Sequence, residues 1–323
     1  MVKQKTNQPT SNTLTLKSRW LTIIVTLLIL TFFAYLFAGI TSLFSYSDEI
    51  VFGNVALIKI NGIITTQEDE FSLDDQATSD EIIKLIKKAE DNPEVKAILF
   101  EINSPGGSAV ASKEIADEIT RVSQNANKTT IAVIREIGTS GAYWIASSTD
   151  LIIASPLSIT GSIGVISSYL EFNKLFDKYG INYRRLVAGK YKDIGSPFRN
   201  LTEDEQKILQ AQLDSVHDYF IKEIAKNRNM SVDDVKKVAD GLFYLGEEAQ
   251  KLGLVDILGD KETAKELLKE SLNLEDIQIV EYKKPKGFID ALFESFSRQS
   301  FSVGEGIGSS LVNTENKKSL IST

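Results

Sequence analysis

The 323-residue sequence predicts an α/β domain on a mostly parallel sheet, preceded by one N-terminal transmembrane helix. Two observations predict the sheet. Short runs rich in Val and Ile place apolar residues at consecutive positions, the pattern of strands buried on both faces. Stretches with apolar residues at helical spacing alternate with those runs. A third observation predicts the transmembrane helix: from Trp20 to Phe44 the chain carries no charged residue, which exceeds the roughly 20 residues needed to cross a bilayer core.

The elements follow in order. Residues 1–19 form a basic leader with Lys3, Lys5, Lys17 and Arg19 and no acid. Residues 20–44 form the anchor; the apolar part of a cleavable signal peptide is shorter, about 7 to 15 residues. Asp48 and Glu49 follow the span, so the basic flank is expected in the cytoplasm and the rest of the chain outside a cell membrane crossed once. A tether, 45–54, leads to a domain expected over 55–282. Within it Val55–Ile60, Val95–Ile102, Thr130–Ile134 and Leu151–Ala154 read as strands. Asp80–Glu90 and Ser108–Val122 read as the helices between them, joined by right-handed crossovers. A longer helix is expected over Glu203–Asn227, with Ile208, Leu209, Leu213, Val216, Phe220 and Ile224 on one face. Another starts at Ser231, followed by Asp233 and Asp234. The stretch Gly246–Asp256 reads as a helix closed by a glycine and running into a strand. Residues 283–323 are expected to be a flexible tail, with Asp290–Phe296 as a short amphipathic helix.

Composition narrows the function classes. The formal charge is −8, and −12 once the +4 leader is set aside, which argues against a nucleic-acid partner. There is no cysteine, so the domain is held by its core rather than by disulfides. One histidine and no cysteine leave only carboxylates as metal ligands. No calcium-loop pattern is present, and neither a metal nor another cofactor is expected.

Three glycine-rich segments are expected as turns just after strands, where open α/β sheets place their sites. Asn103-Ser104-Pro105-Gly106-Gly107-Ser108 presents backbone N–H groups that suit an oxyanion or a phosphate, or serves as a bare turn; no P-loop continuation follows it. Gly138-Thr139-Ser140-Gly141-Ala142-Tyr143-Trp144 offers Ser140 as a nucleophile or as a helix cap. It is not Gly-x-Ser-x-Gly, because residue 142 is alanine. In Ser158-Ile159-Thr160-Gly161-Ser162-Ile163-Gly164-Val165 the hydroxyls satisfy backbone groups, or Ser162 holds a lysine amine. A serine nucleophile needs a base. His217 sits in what reads as an ordinary exposed helix position, and no serine is followed by lysine three residues later. Lys192, in Gly189-Lys190-Tyr191-Lys192-Asp193, supplies an amine that burial would leave neutral. Lys190 is its rival.

Together these residues resemble the signal peptide peptidase A family in its short membrane-anchored form, serine–lysine proteases of the ClpP/crotonase-like fold, a repeated ββα superhelix. The resemblance covers about 54–282. It rests on Asn103-Ser104-Pro105-Gly106-Gly107, Thr139-Ser140-Gly141-Ala142-Tyr143, Thr160-Gly161-Ser162-Ile163-Gly164 and Tyr191-Lys192-Asp193. It implies Ser140 as nucleophile, Lys192 as general base, Ser162 as the residue positioning the lysine, and the backbone N–H groups of Gly107 and Gly141 as the oxyanion hole. Gly141-Ala142 stands where the family often has two glycines, a departure that bears on substrate fit more than on catalysis. The implied activity is a membrane-anchored serine endopeptidase that degrades signal-peptide remnants after their release from secretory proteins. The implied assembly is a homo-oligomeric ring or dome, an octamer being one expected size, in which neighbouring subunits can complete the site. Two rival functions share the fold: a crotonase-type acyl-CoA hydratase or isomerase, and an inactive membrane scaffold.

Overall fold

Isoleucine, valine and alanine repeat at alternate positions on both faces of the central strands, and the sheet follows from that pattern. The computed structural model describes residues 16–44, 53–68, 75–126 and 128–283, with side chains in the first helix for 20–39. The tether's residues 45–52 and the tail beyond 283 lie outside the described residues, as does the short helix expected at Asp290–Phe296. The chain divides into two compact units. One contains helix α1 (Leu16–Phe44). Within it Trp20–Gly39 is long and apolar enough to cross a membrane, with a mean hydropathy of 2.5.

The other unit, Phe52–Lys284, carries the sheet. Its strands are β1 (Val55–Thr65), β2 (Gln76–Thr78), β3 (Ala97–Gly107), β4 (Thr129–Thr139), β5 (Leu151–Ala154), β6 (Ile159–Gly161), β7 (Phe243–Leu245), β8 (Ile257–Leu258) and β9 (Ile279–Tyr282). The main path runs β2-β1-β3-β4-β5-β8; β6 pairs with β4 and β7, and β9 with β1. Every pairing is parallel except β6 with β7. The helices are α2 (Ser79–Asp91), α3 (Ala109–Asn125), α4 (Gly141–Ser147), α5 (Asn173–Lys178), α6 (Glu203–Asn227), α7 (Val232–Val238), α8 (Gly246–Lys251) and α9 (Lys261–Ser271).

Val55, Leu57, Leu99, Ile131, Val133 and Ile153 point to one side and pack on Ala264 and Leu268 of α9. The intervening Ala56, Ile58, Ile98, Phe100, Ala132 and Ile134 are equally buried, because side chains alternate faces along a strand. Helices α2, α3 and α4 lie against the sheet, their buried residues falling at helical spacing, as Ile82, Leu85, Ile86 and Ala89 do in α2. Each fully buried Ile or Leu contributes about 1.5–3 kcal/mol. Thr78, Ser108, Thr202, Ser231 and Asp260 cap their helices through side-chain oxygens.

One expected turn is strand instead. Asn103–Gly107 continues β3, with Ile63 and Ile64 of β1 paired to Gly106 and Gly107 after a register shift. Ser104 pairs with Gly138 of β4 after a second shift. Such irregularities re-aim a strand's last residues, and here they deliver the glycines to the start of α4.

Candidate active site

Strand β4 ends at Thr139 and α4 begins at Gly141, so Ser140 is the whole connection. Its backbone has φ 54° and ψ −123°, a region that glycine occupies freely and an L-residue enters at a cost of about 1–3 kcal/mol. Neighbours hold it there: Ser140 N–H donates to the Gly161 carbonyl at 2.8 Å, and its own carbonyl accepts from Trp144 N–H at 3.0 Å. The hydroxyl does not cap α4, and among the described residues it makes no hydrogen bond. Ser140 is half-buried on a strained strand-to-helix turn, the setting of a nucleophile elbow, although the Gly-x-Ser-x-Gly pattern is absent.

The end of β3 lies directly against this turn. A Cβ built on Gly106 would stand 2.9 Å from Ser140 Cβ, Gly141 N and Thr139 O, so only a residue without a side chain fits. A Cβ on Gly141 would stand 3.4 Å from Gly107 N. The backbone nitrogens of Gly107 and Gly141 therefore lie close to one another beside Ser140. Side chains fix the approach: Thr139 Oγ1 donates to the Pro105 carbonyl at 3.0 Å, and Ser104 Oγ accepts from Gly106 N–H at 3.1 Å. Ala142 is fully buried, inside the protein rather than against a substrate.

Ser162 follows the Gly161 that receives Ser140. It also has positive φ, 50°. Its N–H donates to the Leu242 carbonyl at 2.8 Å and its hydroxyl to the Gly241 carbonyl at 3.2 Å.

Ser140, Ser162, Gly107 and Gly141 are brought together; Lys192 is not. Its side chain is exposed and makes no hydrogen bond or ion pair among the described residues. The adjacent Asp193 is tied through Arg199 to Glu205, in the first turn of α6. Ser140's helix meets α6 much further on, where Trp144 stacks on Phe220 with ring centroids 4.7 Å apart. The fifteen residues from Glu205 to Phe220 amount to about 22 Å of helix rise, so the two attachments lie at well-separated points of α6, and no hydrogen bond or ion pair among the described residues links Lys192 to Ser140's turn. Lys190, the rival base, is held above the ordinary lysine value by Tyr191 and by Asp204, 3.8 Å away, which favours the ammonium.

His217 differs from its expected exposed setting: it is half-buried, and among the described residues its Nε2 has no hydrogen-bond partner. It lies one turn before Phe220 on α6. It also lies one turn after Leu213, so the helical period that carries the apolar face places His217 on it.

The profile of peptidase family S49 matches residues 123–275. A Methanocaldococcus jannaschii protein provisionally named as a protease is 37% identical over 235 residues, 72% of this chain and 74% of its own. The chain belongs to peptidase family S49. An Enterococcus faecium protein provisionally named signal peptide peptidase SppA is 34% identical over 255 residues, 76% of this chain and 74% of its own. Protease 4 of Haemophilus influenzae is 34% identical over 205 residues, although only 32% of its length is covered. A solved mutant of the 1510-N membrane-bound stomatin-specific protease aligns with 72% of this chain and 99% of its own at a TM-score of 0.47 and 20% identity. Family S49 is a family of serine peptidases, and this member is one, which displaces the acyl-CoA reading.

Proposed function

We propose that this S49 peptidase is a membrane-anchored serine endopeptidase in which Ser140 is the nucleophile and Lys192 the general base. The observation that carries the reading is Ser140's backbone strain: a positive-φ serine beside two converging backbone nitrogens, with its hydroxyl uncommitted. The Lys192 amine takes the Ser140 proton as Oγ bonds to the peptide carbonyl carbon. The oxyanion is received by the N–H groups of Gly107 and Gly141. The Lys192 ammonium then protonates the leaving amine as the C–N bond breaks; water, deprotonated by Lys192, next bonds to the acyl carbon, and the C–Oγ bond breaks as the ammonium returns the proton to Ser140 Oγ. Ser162 orients the lysine.

Lys192 comes from a neighbouring copy in this reading. Two features support that. The turn of Lys192 and the helix of its own Ser140 meet α6 at well-separated points, and apolar side chains stand in solvent along the same segment, including Ile166, Leu170, Tyr179 and Leu186, the last 98% exposed. On α6, Leu213 and Val216 of the expected apolar face are only partly covered. A partner surface would bury both sets in a homo-oligomer such as a ring, dome or octamer.

The proposed layout is a cytoplasmic leader (1–19), an anchor (20–44), a tether (45–54), an extracytoplasmic peptidase domain (55–282) and a C-terminal tail (283–323). Tethering beside the membrane, together with the name of the E. faecium relative, supports signal-peptide remnants as substrates. The test uses the full-length protein in detergent. A fluorophosphonate probe should label wild type and not Ser140→Ala, and Lys192→Ala should lose cleavage of a detergent-solubilised signal peptide while keeping its melting transition. Wild-type turnover by Lys192→Ala would sink the serine–lysine reading, and an unlabelled wild type would favour the inactive scaffold.

A further inference from the structure

The segment that carries Lys192 has little regular structure. From Ile166 to Leu201 its one helix, α5, is six residues long and has no buried residue. Around Lys192 itself, by contrast, the backbone is tightly fixed. Lys192 N–H donates to the Gly189 carbonyl at 3.1 Å, Ile194 N–H to Tyr191 at 3.1 Å and Ser196 N–H to Asp193 at 3.0 Å, three overlapping turns. Arg185 reaches across them, donating to the Lys190 carbonyl at 2.9 Å and pairing with the Asp193 carboxylate.

Arg199 closes the other side. Its Nε and Nη2 donate to the two Asp193 carboxylate oxygens at 2.9 and 3.1 Å, and Nη2 also reaches the Asp193 carbonyl at 3.2 Å. The same guanidinium donates to both oxygens of Glu205, at 2.8 and 2.6 Å. Glu205 is almost wholly buried and completes a capping box with Thr202 at the start of α6. The guanidiniums hold the Asp193 and Glu205 carboxyls well below their ordinary values, so both stay ionised. A planar fork gripping two carboxylates specifies geometry as a point charge cannot. All this polar hardware surrounds a lysine whose own amine has no hydrogen-bond or ion-pair partner among the described residues.

We propose that the Asp193–Arg199–Glu205 clamp is a positioning device for the general base, locking the Lys192 backbone to the first turn of α6. The proposal rests on Lys192 being that base. Helix α6 ties that turn to the body of its own subunit, because further along Phe220 stacks on Trp144 of α4, so the subunit that donates Lys192 presents it from a fixed element. Arg199 touches no reacting atom; it acts through Lys192.

A double-mutant cycle on the full-length enzyme with an activated ester or peptide substrate tests this. Arg199→Ala should lower kcat by about 10²-fold, the order of loss for a reacting group displaced by about 1 Å, with KM little changed. Arg199→Lys, which keeps charge but not the fork, should recover part of the loss. Asp193→Asn, which leaves Arg199 paired to Glu205, gives a gentler variant with an intact melting transition and the same kcat-specific fall. In a Lys192→Ala background, adding Arg199→Ala or Asp193→Asn should cost nothing further in residual activity, because the residue they position is gone. Losses that add in that background, or a folded Asp193→Asn enzyme with wild-type kcat, overturn the clamp while leaving the base assignment standing. Wild-type kcat in Lys192→Ala itself overturns both, and is read separately from the single-variant data.

Discussion

Substituting Gly141 by alanine sets two small effects against each other, and the structure decides between them. Alanine is favoured over glycine in a helix by about 1 kcal/mol, and Gly141 is the first residue of α4. The added Cβ, however, would lie 2.3 Å from Ser112 Oγ and 3.2 Å from Ser112 Cβ, where ordinary contact begins at about 3.5 Å. Ser112 is fully buried and its hydroxyl donates to the Ser108 carbonyl at 2.9 Å. Relief therefore needs a shift of about 1 Å between the starts of α3 and α4, or loss of that hydrogen bond. Overpacking of this kind costs about 1–3 kcal/mol, so the net effect is destabilising. The larger consequence is chemical: the shift moves the Gly141 N–H away from that of Gly107, and in the proposed mechanism the loss of one oxyanion donor lowers kcat by about 10²–10³-fold. Turnover of a chromogenic peptide and thermal melts of the detergent-solubilised protein would be measured for Gly141→Ala, Ser112→Ala and the pair. Ser112→Ala alone should cost about 1 kcal/mol, one hydrogen bond, and should restore much of the activity when combined with Gly141→Ala. Wild-type kcat in Gly141→Ala, or no recovery in the double variant, refutes the steric argument.

Two further outcomes concern stability. Tyr143 is fully buried and its hydroxyl donates to the Leu254 carbonyl at 2.9 Å, so Tyr143→Phe should cost about 1–3 kcal/mol by orphaning that carbonyl; an unchanged urea midpoint would contradict this. The clamp carboxyls are depressed on folding, Glu205 to about 2 from 4.5 and Asp193 further below its ordinary 3.8. Their contribution is therefore complete above about pH 4.5 and fades as pH falls toward 2. The stability gap between wild type and Glu205→Gln should close over that window in an acid titration, whereas a gap constant down to pH 2 would rule out ionisation as its source.

The elements legible in the sequence were those whose signal is local. The apolar runs beginning at Val55 and Leu151 are strands, and Glu203–Asn227 is a helix with those same ends. Asn103–Gly107 and Ile159–Gly161 read as turns because glycine, serine and proline disfavour strands. Their ladders are supplied by β1, β4 and β7, partners distant in sequence. The site divides in the same way. Ser140 and its glycines were visible as a pattern, but the unusual backbone of Ser140 was not. Glu203, Asp204 and Glu205 open α6 with the acidic residues a first turn favours, and the Thr202-to-Glu205 spacing is that of a capping box. The burial of Glu205 against Arg199 depends on how the 185–199 segment folds back, which no periodicity encodes.

The dihedral angles of Ser140 carry a consequence for how the protein tolerates change. At φ 54° and ψ −123° a glycine would sit without penalty, so the hydroxyl is kept at the one link between β4 and α4 where the backbone would rest more easily with no side chain. Alanine there removes the proposed nucleophile and retains the strain; glycine removes both. With Ser140 in that proposed role, the position is one where losing function and gaining stability coincide, and stability selected alone would erase the serine first.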